Sequence, residues 1–175
     1  GASWAKDGSG FYYSRYDAPK SGDELKGKNE FQKLYFHKLG TPQSDDTLVY
    51  ERPDEPDWMF SAGVTEDGRY LLLYQSEGTE PKNRIFVRDL TQPGSAFRPL
   101  VDAFDAEYNV VGNDGGTFYV RTNNGAPRAR LVAIDLESPA PANWKTLIAE
   151  PDGRDVLANV DMVGDNFMAV FRTHA

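Results

Sequence analysis

The chain of 175 residues contains no cysteine. That excludes disulfide staples, thiolate metal sites and cysteine nucleophiles together, and it leaves the compartment open between cytoplasm and periplasm. Histidine is nearly absent as well, limited to His37 and His174. Positive charge is scarce: 19 Lys and Arg stand against 27 Asp and Glu, for a formal charge of -8. Surfaces that track phosphates need clustered cations, so nucleic acid is not an expected partner. No apolar run approaches the ~20 residues of a membrane-spanning helix, and no membrane partner is expected. The opening "GASWAKDGSG" has neither an initiator Met nor the charged-then-apolar pattern of a signal peptide, so the start reads as a cut within a longer protein. Helical periodicity is missing throughout.

What is present is a repeat. Asp-Gly, one or two residues and then an apolar run occurs as "KDGSGFYY", "EDGRYLLL" and "NDGGTFYV", with Asp at 7, 67 and 114, and a weaker echo is "VGDNFMAV" near Asp165. After each of the first three comes a run ending in leucine, "KLYFHKL", "RIFVRDL" and "RLVAIDL", at Leu39, Leu90 and Leu136. A third landmark follows in "DTLVYE", "FRPLVD" and "WKTLIAE", around Leu48, Leu100 and Leu147. The order never changes and the spacing is nearly constant, which is the signature of one structural unit used repeatedly.

Each unit reads as four short strands, because its runs are rich in Val, Ile, Leu, Tyr and Phe and are punctuated by Asp-Gly or by Pro, Ser and Gly clusters. Asp-Gly suits a tight hairpin turn, since both residues tolerate the positive φ such turns impose. Strands two and three, such as "YLLLY" and "RIFV", are apolar on both faces and need covering on both. Strand four of the second unit contains Pro99, which cannot donate to a ladder and is tolerated at an edge, so strand four is expected outermost. A β-sandwich competes, but it predicts no repeated unit. The fold expected is all-β, a β-propeller segment of about three and a half four-stranded blades. The blades span about 3-51, 60-102 and 107-150, with a half blade at 156-172. That is fewer than a closed ring needs, so the chain reads as part of a larger propeller.

The stretches "KLYFHKLGT", "PDEP.WM", "DGRY" and "NR", in matching order and spacing, resemble the propeller domain of the prolyl oligopeptidase (prolyl endopeptidase) family of serine peptidases, in a bacterial-like form. The likeness continues through "FDAEYNVVGNDGGTFYVRTNNGAPRARLVAIDL" and "NWKTLI", nearly the whole chain. It implies a seven-bladed propeller capping an α/β-hydrolase domain, which cleaves short peptides after proline with a Ser, Asp and His triad while the propeller screens substrates by size. The hydrolase domain is absent from this chain: no G-x-S-x-G elbow occurs, and Gly8-Ser9-Gly10 is better explained as a hairpin turn. The expected partners are therefore short proline-containing peptides through the parent enzyme, the hydrolase domain, the remaining blades, and a second copy of the fragment through its unpaired edges. A related oligopeptidase of basic-residue specificity and a free-standing propeller scaffold are the alternative readings.

Candidate site residues are few. No catalytic residue, cofactor or metal ligand is expected. His37 and His174 are read as structural or solvent-exposed, and Asp45-Asp46 and Asp54-Glu55-Asp57 as solvated loop charge, since they lack calcium-loop spacing. Because successive strands are antiparallel, the loops from strand two to three and from strand four to the next strand one emerge on one face. Met59 is placed in such a four-to-one connection, and Thr79 in the two-to-three loop "SEGTEP". By the resemblance, Met59 lines an outer substrate subsite, and Thr79 falls where many relatives carry a Cys, so thiol sensitivity is lost there. Trp58 is read as a packing aromatic and Asp7, Asp67 and Asp114 as turn residues on the opposite face. The polar loop from Asp17 to Glu30, which makes the first unit longest, is expected to be a mobile gate.

Overall fold

The computed structural model describes residues 1–18 and 29–173. Among them regular structure is all strand apart from two single 3-10 turns, Gln43–Asp45 and Pro141–Asn143. The first sheet contains β1 (Ala2–Trp4), β2 (Gly10–Arg15), β3 (Lys33–Lys38) and β4 (Thr47–Tyr50). The second contains β5 (Trp58–Val64), β6 (Tyr70–Glu77), β7 (Asn83–Asp89) and β8 (Arg98–Val101). The third contains β9 (Tyr108–Asp114), β10 (Thr117–Thr122), β11 (Arg130–Asp135) and β12 (Lys145–Ile148), and β13 (Asp155–Val163) and β14 (Asn166–Thr173) form a two-stranded sheet. Strands follow one another in sequence order within every sheet, which makes each of the three four-stranded sheets a simple meander with its fourth strand at an edge. Pro99 accordingly sits in an edge strand, β8. β5 begins at Trp58, two residues before the blade boundary expected at Phe60, because the ladder already pairs Trp58 with Glu77.

The chain divides into two compact units, Gly1–Glu80 with Val87–Phe97, and Pro81–Phe86 with Arg98–Ala175. Within the first, Tyr70, Leu71, Leu72 and Leu73 of β6 are all buried, so successive residues on both faces of the strand are covered. Within the second, Leu131, Leu157 and Val160 anchor a core on which Tyr119 and Phe167 pack edge to face, ring centroids 4.9 Å apart. The last strand contrasts with both, since Met168, Val170 and Phe171 of β14 are exposed.

The hairpin turns correct one expectation. Gly8 and Gly68 both adopt φ 72°, but the positive-φ non-glycine residues described are Phe31 and Ala129, not the aspartates. Gly8 N donates to Ala5 O at 3.0 Å and Gly68 N to Thr65 O at 2.8 Å, the pattern of a tight turn followed by one left-handed glycine. Asp7 and Asp67 contribute acceptors: Oδ1 of each takes the N–H two residues on, from Ser9 at 2.9 Å and Arg69 at 3.0 Å, an Asx-type bond. Asp114 differs again, because it closes β9 opposite Thr117 and leaves the turn to Gly115, at φ 53°. The repeated leucines also find a backbone explanation. The N–H groups of Leu39, Leu90 and Leu136 donate to the turn carbonyls of Ser9, Arg69 and Gly116 at 3.0, 2.7 and 2.9 Å, extending the β2-β3 type of pairing past its last residue.

A second repeated device joins the end of one sheet's second loop to the first strand of the next. In the first unit Phe60 N donates to Gln32 Oε1 at 2.6 Å, and Phe31 N to Pro56 O at 2.8 Å. In the second unit Tyr108 N donates to Asn83 Oδ1 at 2.8 Å while Asn83 Nδ2 donates to Tyr108 O at 2.9 Å. Leu157 N donates to the main-chain carbonyl of Arg128 at 2.9 Å, the same link made without a side-chain amide. Because Tyr108 is buried, Asn83→Ala strands a main-chain donor and acceptor at once. The expected loss is about 2 to 4 kcal/mol in denaturant unfolding. Gly10→Ala is a test of the first sheet: its Cβ would overlap the carbonyl oxygen of His37 and the ring of Phe36, so a loss of roughly 3 kcal/mol is expected from the forced separation of β2 and β3.

Candidate functional site

Met59 is the second residue of β5, paired with Ser76 of β6, and so lies in a strand rather than in the connection before it. Trp58 and Phe60 point to the buried side at 8% and 4% exposure, and the two-residue period turns Met59 outward at 40%. Thr79 lies in the turn after β6, and Gly78 N donates to Asp57 O at 3.0 Å, tying that turn to the residue before β5. Met59 and Thr79 therefore stand at the same end of the β5-β6 pair. Trp58 packs beneath Arg52, whose guanidinium carbon lies 4.3 Å from the indole centroid.

Charges at this end are held in pairs. Arg52 Nε and Nη2 each donate to Asp54 at 2.8 Å, which raises the Arg52 pKa and holds the Asp54 carboxyl down at about 2. Asp54 is exposed loop charge, as read from the sequence, and it also fixes the cation that covers Trp58. A cavity of about 170 Å³ next to it is lined by Phe31, Gln32, Lys33, Glu51, Arg52 and Asp17. Lys33 Nζ lies 2.6 Å from Asp17 and 3.9 Å from Glu51, and the Asp17 hydrogen bond raises its pKa. These cations are engaged, so this end offers shape and apolar contact rather than proton transfer.

His37 belongs to a network that sequence reasoning missed. Its Nδ1 lies 2.7 Å from Asp46 Oδ1, and the same carboxylate accepts from the Tyr13 hydroxyl. Gln43 Nε2 in turn donates to Tyr13 Oη at 3.1 Å. Asp46 has a side chain only 1% exposed, which corrects its reading as solvated loop charge. Burial pushes its pKa up, but the hydrogen bonds from Tyr13 and His37 outweigh that and hold it below the ordinary carboxylate value. Neighbouring "DD" residues look alike in sequence, and the distinction between them arises when the 3-10 turn Gln43–Asp45 aims Asp46 back at β2 and β3. Phe11 stacks near His37 at 5.1 Å and near Trp4 at 5.1 Å, making an aromatic row on one face of the first sheet, with Trp4 exposed. Among the described residues no group of three His, Cys, Asp or Glu side chains is arranged to hold a metal. His174 and most of the loop Asp17 to Glu30 lie outside the described residues.

Repeated four-stranded meanders linked first strand to preceding loop define this chain as propeller blades. The model of the family described as "Prolyl oligopeptidase, N-terminal beta-propeller domain" matches residues 1–175, and the chain belongs to that family. It is 38% identical over 179 residues to prolyl oligopeptidase A of Amanita bisporigera, covering 96% of this chain and 23% of that protein. It is 41% identical over 150 residues to the prolyl endopeptidase of Elizabethkingia meningoseptica, covering 86% of this chain and 21% of that protein. The solved structure of prolyl oligopeptidase B from Galerina marginata, bound to a 35-mer hydrolysis and macrocyclization substrate, superposes with a TM-score of 0.89 at 32% identity, over 99% of this chain and 24% of that one. The chain thus spans less than a quarter of the length of these relatives.

The Asp46 network predicts a pH signature. A carboxyl with a folded pKa below its unfolded value contributes stability above the unfolded value, and that contribution is lost as pH falls through the folded one. Asp46→Asn is therefore expected to lower Tm at pH 7 and to approach the parent protein as pH falls below the ordinary carboxylate range. Thermal unfolding followed from pH 7 to pH 2 checks this; a gap that persists unchanged at the acid end would assign the loss to packing instead.

Proposed function

We propose that the Met59 end of this chain forms an outer substrate subsite of a proline-specific serine endopeptidase acting on short peptides. One observation carries the reading: in a chain of the prolyl oligopeptidase propeller family, an exposed Met is set by a rigid strand at the end where a two-to-three loop emerges. Methionine is polarizable and adaptable, and suits apolar peptide side chains of varied shape. Thr79, in the turn bound to Asp57, borders the same subsite. An α/β-hydrolase domain outside this chain supplies the Ser, Asp and His triad. Blades at about 3-51, 60-102 and 107-150 and a half blade at 156-172 combine with further blades to screen peptides by size. The peptide carried by the Galerina relative supports a peptide as the ligand class. Separated from the rest of its propeller, the fragment self-associates through the exposed residues of β14 and the first sheet.

In the full-length protein, Met59→Ala is expected to lower kcat/KM for peptides with a bulky apolar residue upstream of proline by about 5- to 150-fold, or ~1 to 3 kcal/mol, and to leave minimal proline substrates nearly unchanged. Equal losses on both substrates would indicate general destabilisation and overturn the subsite. Thr79→Cys provides an independent check: alkylation should depress turnover of the longer substrates in the variant beyond any effect the same treatment has on the unsubstituted full-length protein.

A further inference from the structure

A second cavity, of about 410 Å³, lies wholly within the second unit and shares no residue with the Met59 site. That volume falls within the usual range of pockets that bury a ligand. Its walls are Pro99, Leu100, Pro139, Pro141, Trp144 and the buried Tyr108. The polar atoms of both aromatic residues are already used: Trp144 Nε1 donates to Pro139 O at 2.8 Å, and the Tyr108 hydroxyl donates to Asp105 Oδ1 at 2.6 Å. What they present to the cavity is ring surface, with the rings edge to face at 5.9 Å. Two carboxylates, Asp102 and Asp105, also border it.

Charge at this border is only partly covered. Asp102 has one cation, Arg84, at 3.0 Å, yet its side chain stays 58% exposed while Arg84 is only 15% exposed. The guanidinium is held between the rings of Phe86 and Phe104, at 5.3 and 4.7 Å, so it backs the carboxylate without covering it. Asp105 takes its hydrogen bonds from neutral donors, the Tyr108 hydroxyl and Asn124 Nδ2 at 3.2 Å, with the Arg130 guanidinium near enough to act on Tyr108 electrostatically. An apolar cavity with anionic lips, on a chain of charge -8, is complementary to an apolar group with a cation beside it. β8, the edge strand forming one wall, is four residues long and contains Pro99. That is too short and too blunted to extend its sheet with another strand, so side chains must do the recognising. Walls of proline and aromatic rings are the kind on which extended peptide segments dock.

We propose that this cavity docks a short extended segment of a partner protein, seating an apolar side chain or proline against Trp144 and Pro139 and setting a Lys or Arg against Asp102 and Asp105. The test uses the full-length protein and three labelled, end-blocked hexapeptides free of proline: alternating leucine–lysine, leucine–glutamate and glycine–lysine, read by fluorescence anisotropy. The leucine–lysine peptide is expected to bind at least tenfold more tightly than either of the others. Ala140→Arg, which crowds and reverses the exposed lip, should weaken it at least fivefold at unchanged Tm, and the isosteric Asp102→Asn, whose amide oxygen can still accept from Arg84, should weaken it at least fivefold in protein that remains folded at the assay temperature. Equal binding of glycine–lysine would reduce the effect to net charge, and equal binding of leucine–glutamate would remove the role of the carboxylates. Either result, unaltered binding by both variants, or no binding at millimolar peptide overturns the proposal.

Discussion

The interaction on which the rest depends is the hydrogen bond from the opening of each first strand to the residue that leads into the preceding third strand. A first strand is a sheet edge, and its outward N–H groups would otherwise be unpaired. Gln32 and Asn83 meet that need at Phe60 and Tyr108, both buried, where an unmade bond costs most. Ser3 Oγ serves β5 again at Val64 N, 3.0 Å away, so this edge is held at two points along its length. At Leu157 the acceptor is the carbonyl of Arg128, whose own N–H and Nε are fixed by Glu150 at 2.8 and 3.2 Å. Hydrophobic burial holds sheets together without direction, whereas these bonds specify which residue of one sheet lies opposite which residue of the next.

That specification reaches the candidate subsite. With Phe60 N–H committed to Gln32, the side chains of Trp58 and Phe60 are fixed inward and the alternation of the strand leaves Met59 outward. The stack of Arg52 on Trp58 secures the same segment from its other end, and Asp54 keeps Arg52 there. A fully buried Gln75 donating to the Tyr50 hydroxyl at 3.0 Å, with Tyr50 edge to face against Phe60 at 5.2 Å, completes the support. Each of these residues touches the subsite through a neighbour.

The parts of this fold that could be read in the sequence are those set by local chemistry. Asp-Gly turns, the alternation of apolar runs and a proline confined to an edge strand all act over a few residues, so their repetition revealed the meanders and their order. The turn mechanism was less legible: the aspartates accept hydrogen bonds instead of adopting positive φ, and both roles favour the same residue type. Illegible altogether were the contacts made across long separations by chemically different groups. Gln32, Asn83 and the carbonyl of Arg128 perform one task, 28 and 25 residues from their partners in the first two cases, and no shared residue marks it. Asp46 beside Asp45 presents the same difficulty in miniature, because burial of one and exposure of the other follow from where a 3-10 turn ends. Met59 fell outside the strand because its start was set two residues too late, since a ladder that begins at a tryptophan after "PDEPD" leaves no turn signal at its first residue.

Placement of Met59 in a strand changes what it can do. A side chain on a connection moves with that connection, and its contact with a ligand is offset by the entropy of ordering the backbone. On β5 the backbone is already ordered by its ladder to β6 and by Gln32, so a contact at Met59 costs little beyond the rotamers of the thioether itself. Thr79 lies outside that ladder, in a turn tied to Asp57 through Gly78 N and closed by Glu80 N on Glu77 O, and so keeps more freedom. One wall of the subsite is thereby rigid in backbone and soft in side chain, the other short in side chain and freer in backbone. Under the proposed function, that combination suits apolar groups of different sizes, as recognition of a residue class rather than a sequence requires.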